Sequence, residues 1–152
     1  MFRAYATLRR DGRVQERLVL TGQQTRLWER ELLPLARRLG IEHDISHLGF
    51  LPHAEVAPLM ARARAVLFPT RYEGFGLPVV EAATAGARIV ASRLDVFDEI
   101  GLPREYQVDF ADPAQVAAAL EHPRPTRLLR EPLQWREVAR RTVEVLRAAG
   151  SR

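Results

Sequence analysis

Cysteine is absent from the 152 residues, which excludes disulfides and thiolate metal sites. Lysine is absent as well. All 23 basic residues are Arg, and with the abundant Ala this reads as coding bias rather than as function. No apolar run approaches the roughly 20 residues that a membrane-spanning helix needs. The stretch Met1 to Arg10 has neither the apolar core nor the cleavage site of a signal peptide. A cytoplasmic setting is therefore the expectation.

What is present is ordinary globular composition, 47% hydrophobic and 28% charged. The length suits one compact domain with a real core. The net charge of +4 favours anionic ligands or an anionic membrane surface. Basic and acidic residues are interspersed, however, so a solvated Arg-rich surface is the more economical reading and nucleic acid is not an expected partner.

Short apolar runs alternate with helical spacing, which points to an α/β layered fold. Helices are expected at Phe2 to Arg10, from Trp28 through Leu39 to the stop at Gly40, and around Val56 to Ala63. Two more are expected from Gly76 to Ala85 and from Asp112-Pro113 to Leu120, the last with Asp as N-cap and Pro in the first turn. Pro34 should kink or divide the helix that contains it. Strands are expected at Arg17 to Leu20, Ile45 to Phe50, Ala65 to Phe68, Ile89 to Ala91 and Tyr106 to Phe110. Glu121 to Pro132, with His122-Pro123-Arg124-Pro125, reads as a surface connection into a final helix from Leu133 to Ala149. That helix carries a stripe of Val138, Thr142, Val145, Leu146 and Ala149.

Strands separated by helices imply parallel pairing with right-handed crossovers. Ligands of such sheets bind beyond the carboxyl ends of the strands. The loops that matter are then Thr21-Gly22, Phe50-Leu51, Pro69 to Phe75 and Ser92 to Glu99.

The third of these loops holds the chemistry. Between a strand ending at Phe68 and a helix starting near Gly76 lie Glu73, Gly74, Phe75 and Gly76. Gly74 and Gly76 permit backbone conformations that other residues resist and allow close approach of a ligand. The N–H groups of Phe75, Gly76 and Leu77 fall at a helix N-terminus, a ready site for phosphate or sugar oxygens. Pro78 suits the first turn, where its missing N–H costs nothing. Glu73 and Glu81 would be offset by about 80° on a continuous helix, so they can face one cleft without touching. A carboxylate accepts hydrogen bonds well from the vicinal diols of a ribose or pyranose. A Gly-x-Gly turn before a helix is common, and a helical Glu is usually solvated, so these features alone leave a bland reading open.

The ordered run Glu73-Gly-Phe-Gly-Leu-Pro-Val-Val-Glu81-Ala resembles the Glu-x7-Glu signature of family 4 glycosyltransferases. The context resembles the family too: His47-Leu-Gly-Phe-Leu-Pro and Ala65-Val-Leu-Phe-Pro-Thr before it, Ala85-Gly-Ala-Arg-Ile-Val-Ala-Ser and Asp98-Glu-Ile after it. Val108-Asp109, Asp112-Pro113 and Gln134-Trp135 extend the likeness over nearly the whole chain.

The resemblance implies a Rossmann-like parallel sheet with helices on both faces, the C-terminal half of a two-domain GT-B fold with its first strand missing. It implies a donor-binding domain over 1–130 and a C-terminal helix over 131–152 packing on or near it. It further implies a retaining transferase that takes a sugar from a nucleotide-sugar, without a metal or other cofactor. Glu73 would contact the donor sugar and position the leaving diphosphate. The backbone of Gly74, Phe75, Gly76 and Leu77 would hold sugar hydroxyls and phosphate. Glu81 would bind the ribose hydroxyls. A separate acceptor-binding domain and peripheral contact with the inner membrane face are the remaining implied partners.

The match departs from the family in three places. The acceptor-binding half is not in this sequence. The chain starts inside the helix that follows the family's first donor-domain strand, past the basic loop that grips the diphosphate, so Met1 is read as a misassigned start or a truncation. Arg88 stands where the family usually has Pro, which reads as a tolerated surface change. These departures keep other readings open: a non-catalytic nucleotide-sugar-binding remnant, one half of a split enzyme, or a sugar-nucleotide epimerase of the same architecture. A pyridoxal-dependent phosphorylase would need a lysine. Little transferase activity is expected of the isolated chain.

Overall fold

A computed structural model describes residues 1–121, 126–128 and 134–150. Five short parallel strands alternate with helices in chain order. They are β1 (Leu18–Leu20), β2 (Ile45–His47), β3 (Val66–Phe68), β4 (Ile89–Ser92) and β5 (Gln107–Val108). The helices are α1 (Phe2–Arg10), α2 (Leu33–Arg38), α3 (His53–Arg62), α4 (Leu77–Thr84), α5 (Asp95–Glu99), α6 (Pro113–Glu121) and α7 (Trp135–Gly150).

Pairing divides the strands into a two-stranded sheet, β1-β2, and a three-stranded sheet, β3-β4-β5. Every pair is parallel, as Leu18↔Ile45, Val66↔Ile89 and Ala91↔Gln107 show. Both sheets nevertheless share one core. Leu18, Val90 and Val108 are buried with α1, α2 and α6 residues such as Leu8, Ala36 and Val116, and Leu67 and Ile45 pack against that cluster. The other core joins Ile89 and Ala91 to Val79, Ala82 and Phe97, with Met60 of α3 at its edge. Helices thus cover both faces of an α/β layer, as expected of a Rossmann-like fold.

Local differences from the sequence expectations have physical causes. The helix containing Pro34 is divided one turn early: Trp28–Leu32 winds as a π-helical turn and α2 begins at Leu33. Pro34 lacks the N–H that a continuous α-helix would direct at the carbonyl four residues back, and the wider turn relieves the clash there. Ser92 to Glu99 is not all loop, because Asp95–Glu99 forms a short helix that buries Phe97 completely. Five residues are too few for a periodic signal. The last strand shrinks to Gln107–Val108, with Tyr106 ending a 3-10 turn.

The connection after α6 is not wholly on the surface. Thr126 is 2% exposed and its Oγ1 accepts the Ile89 N–H at 2.8 Å, tying the start of β4 to the chain 37 residues on. His122, Pro123 and Pro125 lie outside the described residues, as does the expected boundary at 130/131.

Arg88 is also more than a surface change. Its Nη1 donates to the Leu120 carbonyl at the end of α6, and its Nε is buried without a partner among the described residues. In α7 no residue is buried, and its polar side is laced by Arg140–Glu137, Arg140–Glu144 and Arg141–Glu137 pairs, each at 2.6 Å. Among the described residues no helix is long and apolar enough to cross a membrane.

Candidate functional site

The loop from Pro69 to Gly76 leaves the carboxyl end of β3 and enters α4. Thr70 starts it with a local turn: its Oγ1 donates to the Tyr72 carbonyl at 2.7 Å and accepts the Tyr72 N–H at 3.3 Å. Tyr72 is thereby held outward, 87% exposed. The chain then folds back on itself. The Glu73 carboxylate accepts the Gly76 N–H at 3.2 Å through Oε1, so a negative charge sits on the positive end of α4.

Gly76 is what makes this turn close. Its φ of +87° is the left-handed conformation that side chains resist. A Cβ there would lie 2.9 Å from Phe97 Cε1 and 3.4 Å from Ile100 Cδ1. Glycine is therefore required twice, by backbone angle and by space. From Gly76 the helix starts at once, its carbonyl accepting the Val79 and Val80 N–H groups. Among the described residues the Phe75 and Leu77 N–H groups have no hydrogen-bond partner, and both side chains are exposed. The expected cradle of three amides thus presents two, the third being held by Glu73.

Glu81 points elsewhere. It lines a groove of about 330 Å³ between α3 and α4, with His53, Val56, Met60 and Thr84 around it. None of Glu73, Gly74, Phe75, Gly76 or Leu77 lines that groove. The six expected site residues therefore fall into a turn at the head of α4 and a groove along its side. A smaller cavity, of about 60 Å³, lies away from both, under β1 and β3.

The neighbouring loops reach the same end of the sheet. Gly22 N–H donates to the Gly49 carbonyl and Gly49 N–H to His47 Nδ1, while Trp28 stacks edge-on against His47. This fixes the segment after β2, from which Phe50 projects 77% exposed. Sequence reasoning did not single out His53, Thr70 or Tyr72. For Thr70 a signal exists, since a Thr two residues before an exposed loop position commonly closes such a turn.

A family profile described as "Glycosyl transferases group 1" matches residues 1–122. An O-antigen chain mannosyltransferase B of Escherichia coli is 34% identical over 147 residues, 91% of this chain and 35% of that protein. An MMP alpha-(1->4)-mannosyltransferase of Mycolicibacterium hassiacum is 34% identical over 133 residues, 78% of this chain and 32% of its own length. The chain therefore spans about a third of the length of these curated relatives. Among solved structures, AviGT4, described as a glycosyltransferase involved in avilamycin A biosynthesis, superposes with a TM-score of 0.56 at 25% identity. That match covers 94% of this chain and 42% of AviGT4.

Proposed function

The chain belongs to the group 1 glycosyl transferases, and on that footing we propose that it is the donor-binding half of a retaining family 4 enzyme acting on a nucleotide-sugar. The observation that carries this reading is the turn at the head of α4. A carboxylate, two open amides and a helix N-terminus converge there, beside a groove that holds a second carboxylate.

The proposed division of labour follows from charge. Glu73 accepts hydroxyls of the donor sugar, since a carboxylate repels the diphosphate it stands beside. The Phe75 and Leu77 amides, with the positive end of α4, receive phosphate oxygens and stabilise them as charge builds on the leaving group. Gly74 and Gly76 let the ligand reach the backbone. Glu81 takes the ribose diol in the groove between α3 and α4. No metal enters this scheme. The acceptor sits on a separate domain, a polysaccharide or glycolipid being the proposed class, and the protein works in the cytoplasm, at the inner membrane face.

The test is thermal unfolding of the chain with a panel of nucleoside diphosphates and nucleotide-sugars. Mannose-bearing donors go first, because two relatives are named mannosyltransferases. A ligand that binds only the folded state raises the midpoint by mass action. One base family should do so, and Glu81→Ala should weaken that ligand by about tenfold or more, the loss of one charge-assisted hydrogen bond or two. A cooperatively unfolding sample that responds to none of the panel overturns the reading.

A further inference from the structure

α7 keeps a whole apolar face open. None of its residues is buried, neither core cluster takes a side chain from it, and it packs extensively on no other described element. Trp135, Val145 and Leu146 are 79%, 68% and 65% exposed. Successive residues of a helix turn by about 100°. On that wheel Trp135, Val138, Val143, Val145 and Leu146 share one arc of about 160°, with only Ala, Gly and Thr142 between them.

The charges are placed as definitely as the apolar residues. Arg136 and Arg147 border the arc on one side and Arg141 on the other, each within about 40° of it. Glu137 and Glu144 lie opposite the arc, in the middle of the polar face. Arg140 pairs with both of them and Arg141 with Glu137. The acids are thus answered within the helix, whereas Arg136 and Arg147 make no ion pair among the described residues.

This order of charge decides what suits the face. Two copies of the chain laid face to face would bring one cationic border against another in either orientation, and like charges side by side repel. A polypeptide groove would need acids along both of its rims. A bilayer surface rich in anionic lipid offers them everywhere. There the arc can sink to the boundary of headgroup and acyl chain, with the Arg stems lying along it and their guanidinium groups on phosphates at both borders. The indole of Trp135 suits that boundary, and Glu137 and Glu144 stay in water. Among the described residues no helix is long and apolar enough to cross a membrane, so α7 would lie in the plane of the surface.

Resting on the reading that the protein works at the inner membrane face, we propose that α7 is the element that makes the contact. It lies flat on anionic lipid with Trp135, Val138, Val145 and Leu146 inserted. Arg136, Arg141 and Arg147 grip headgroup phosphates along its two borders.

The test uses the whole chain, without nucleotide or acceptor, so its failure is distinct from failure of the donor site. Co-sedimentation is measured with vesicles of phosphatidylcholine alone and with about a third phosphatidylglycerol. Binding should be at least about tenfold tighter to the anionic vesicles and should fall as salt rises. Tryptophan emission should move to shorter wavelength on them, and Trp135→Phe should abolish the shift while Trp28 remains. Val145→Gln with Leu146→Gln should weaken binding by at least about tenfold. Arg136→Gln and Arg147→Gln should each weaken it roughly fivefold. Arg38→Gln, on α2, removes the same net charge and should change nothing. No α7 residue is buried, so the α7 variants should unfold at the parent midpoint.

A chain that ignores the anionic vesicles overturns the proposal and leaves the stripe to another polypeptide. Binding that survives the double Gln variant, or that Arg38→Gln weakens as much as Arg136→Gln does, overturns it by placing the contact elsewhere. Equal binding to neutral vesicles removes the role given to the Arg borders and overturns it as well. A dimer in sedimentation without lipid, dissociated by the double Gln variant, assigns the face to a second copy.

Discussion

α4 and α7 hold their shape by opposite means. α4 has eight residues, too short to stand alone in water, and its contribution to the core is two residues, Val79 and Ala82, exposed to only 1% and 0%. It makes no ion pair among those described, and its first turn is dictated by Gly76 against Phe97. α7 has sixteen residues, none buried, and is braced by Arg140 and Arg141 on Glu137 and Glu144. Its apolar stripe, including Val145 and Leu146, is exposed. The lesson is that a helix bearing a site borrows its geometry from its neighbours, whereas a helix rich in side-chain pairs carries its own.

The sharpest way to break this contrast is Gly76→Ala. A left-handed Ala costs about 1–2 kcal/mol, and overpacking against Phe97 adds about 1–3 kcal/mol. Chemical denaturation should therefore show a loss of about 2–5 kcal/mol, with any nucleotide response gone. Gly86→Ala is the comparison. It has a similar φ of +74° but nothing within 4 Å of its Cβ, so it should lose only the backbone part. Equal losses at the two sites would remove the role given to Phe97.

Thr126→Val comes next. It leaves the Ile89 N–H buried and unpaired, which should cost about 1–3 kcal/mol, read as a lower urea midpoint at unchanged slope. The smallest effect belongs to α7. Hydrogen bonds from Arg140, then Arg141, hold the Glu137 carboxyl at about 2, well below its ordinary value of 4.5. Because that value is depressed by helix-bound partners, the support is complete above pH 4.5 and is lost as pH falls through about 2. A peptide of residues 134–150 should lose helical circular dichroism over that range, and Glu137→Gln should flatten the response.

Much of the fold was legible because alternating strands and helices announce themselves locally. β3 and β4 fall within a residue of expectation at each end, and Asp112 caps α6 with bonds to Ala114 and Gln115 as its sequence position implied. The need for glycine at 76 was legible as backbone freedom but not as space. Phe97, which enforces it, comes 21 residues later on a helix too short to show a period. Thr126 was hidden in a Pro-rich stretch whose composition suggests solvent. Its burial depends on β4, far off in sequence. The division of the strands into two sheets has no local signature, since each strand reads the same whether one neighbour or two is present. Nor could spacing alone show that Glu73 and Glu81 part company, because the chain reverses at Gly76 before the helix that carries Glu81 begins.

The bond from Gly76 to Glu73 has one more consequence. A helix N-terminus ordinarily attracts anions such as sulfate or phosphate. Here one of the three amides is already held by a carboxylate of the protein's own, so a bare anion at the head of α4 meets a weaker pull than the Phe75 and Leu77 amides alone would exert. A neutral molecule dense in hydroxyls meets the reverse, a fixed acceptor waiting in a preset direction. The turn in that sense favours a charged group that comes joined to a hydroxyl-rich one, and it is set before anything arrives.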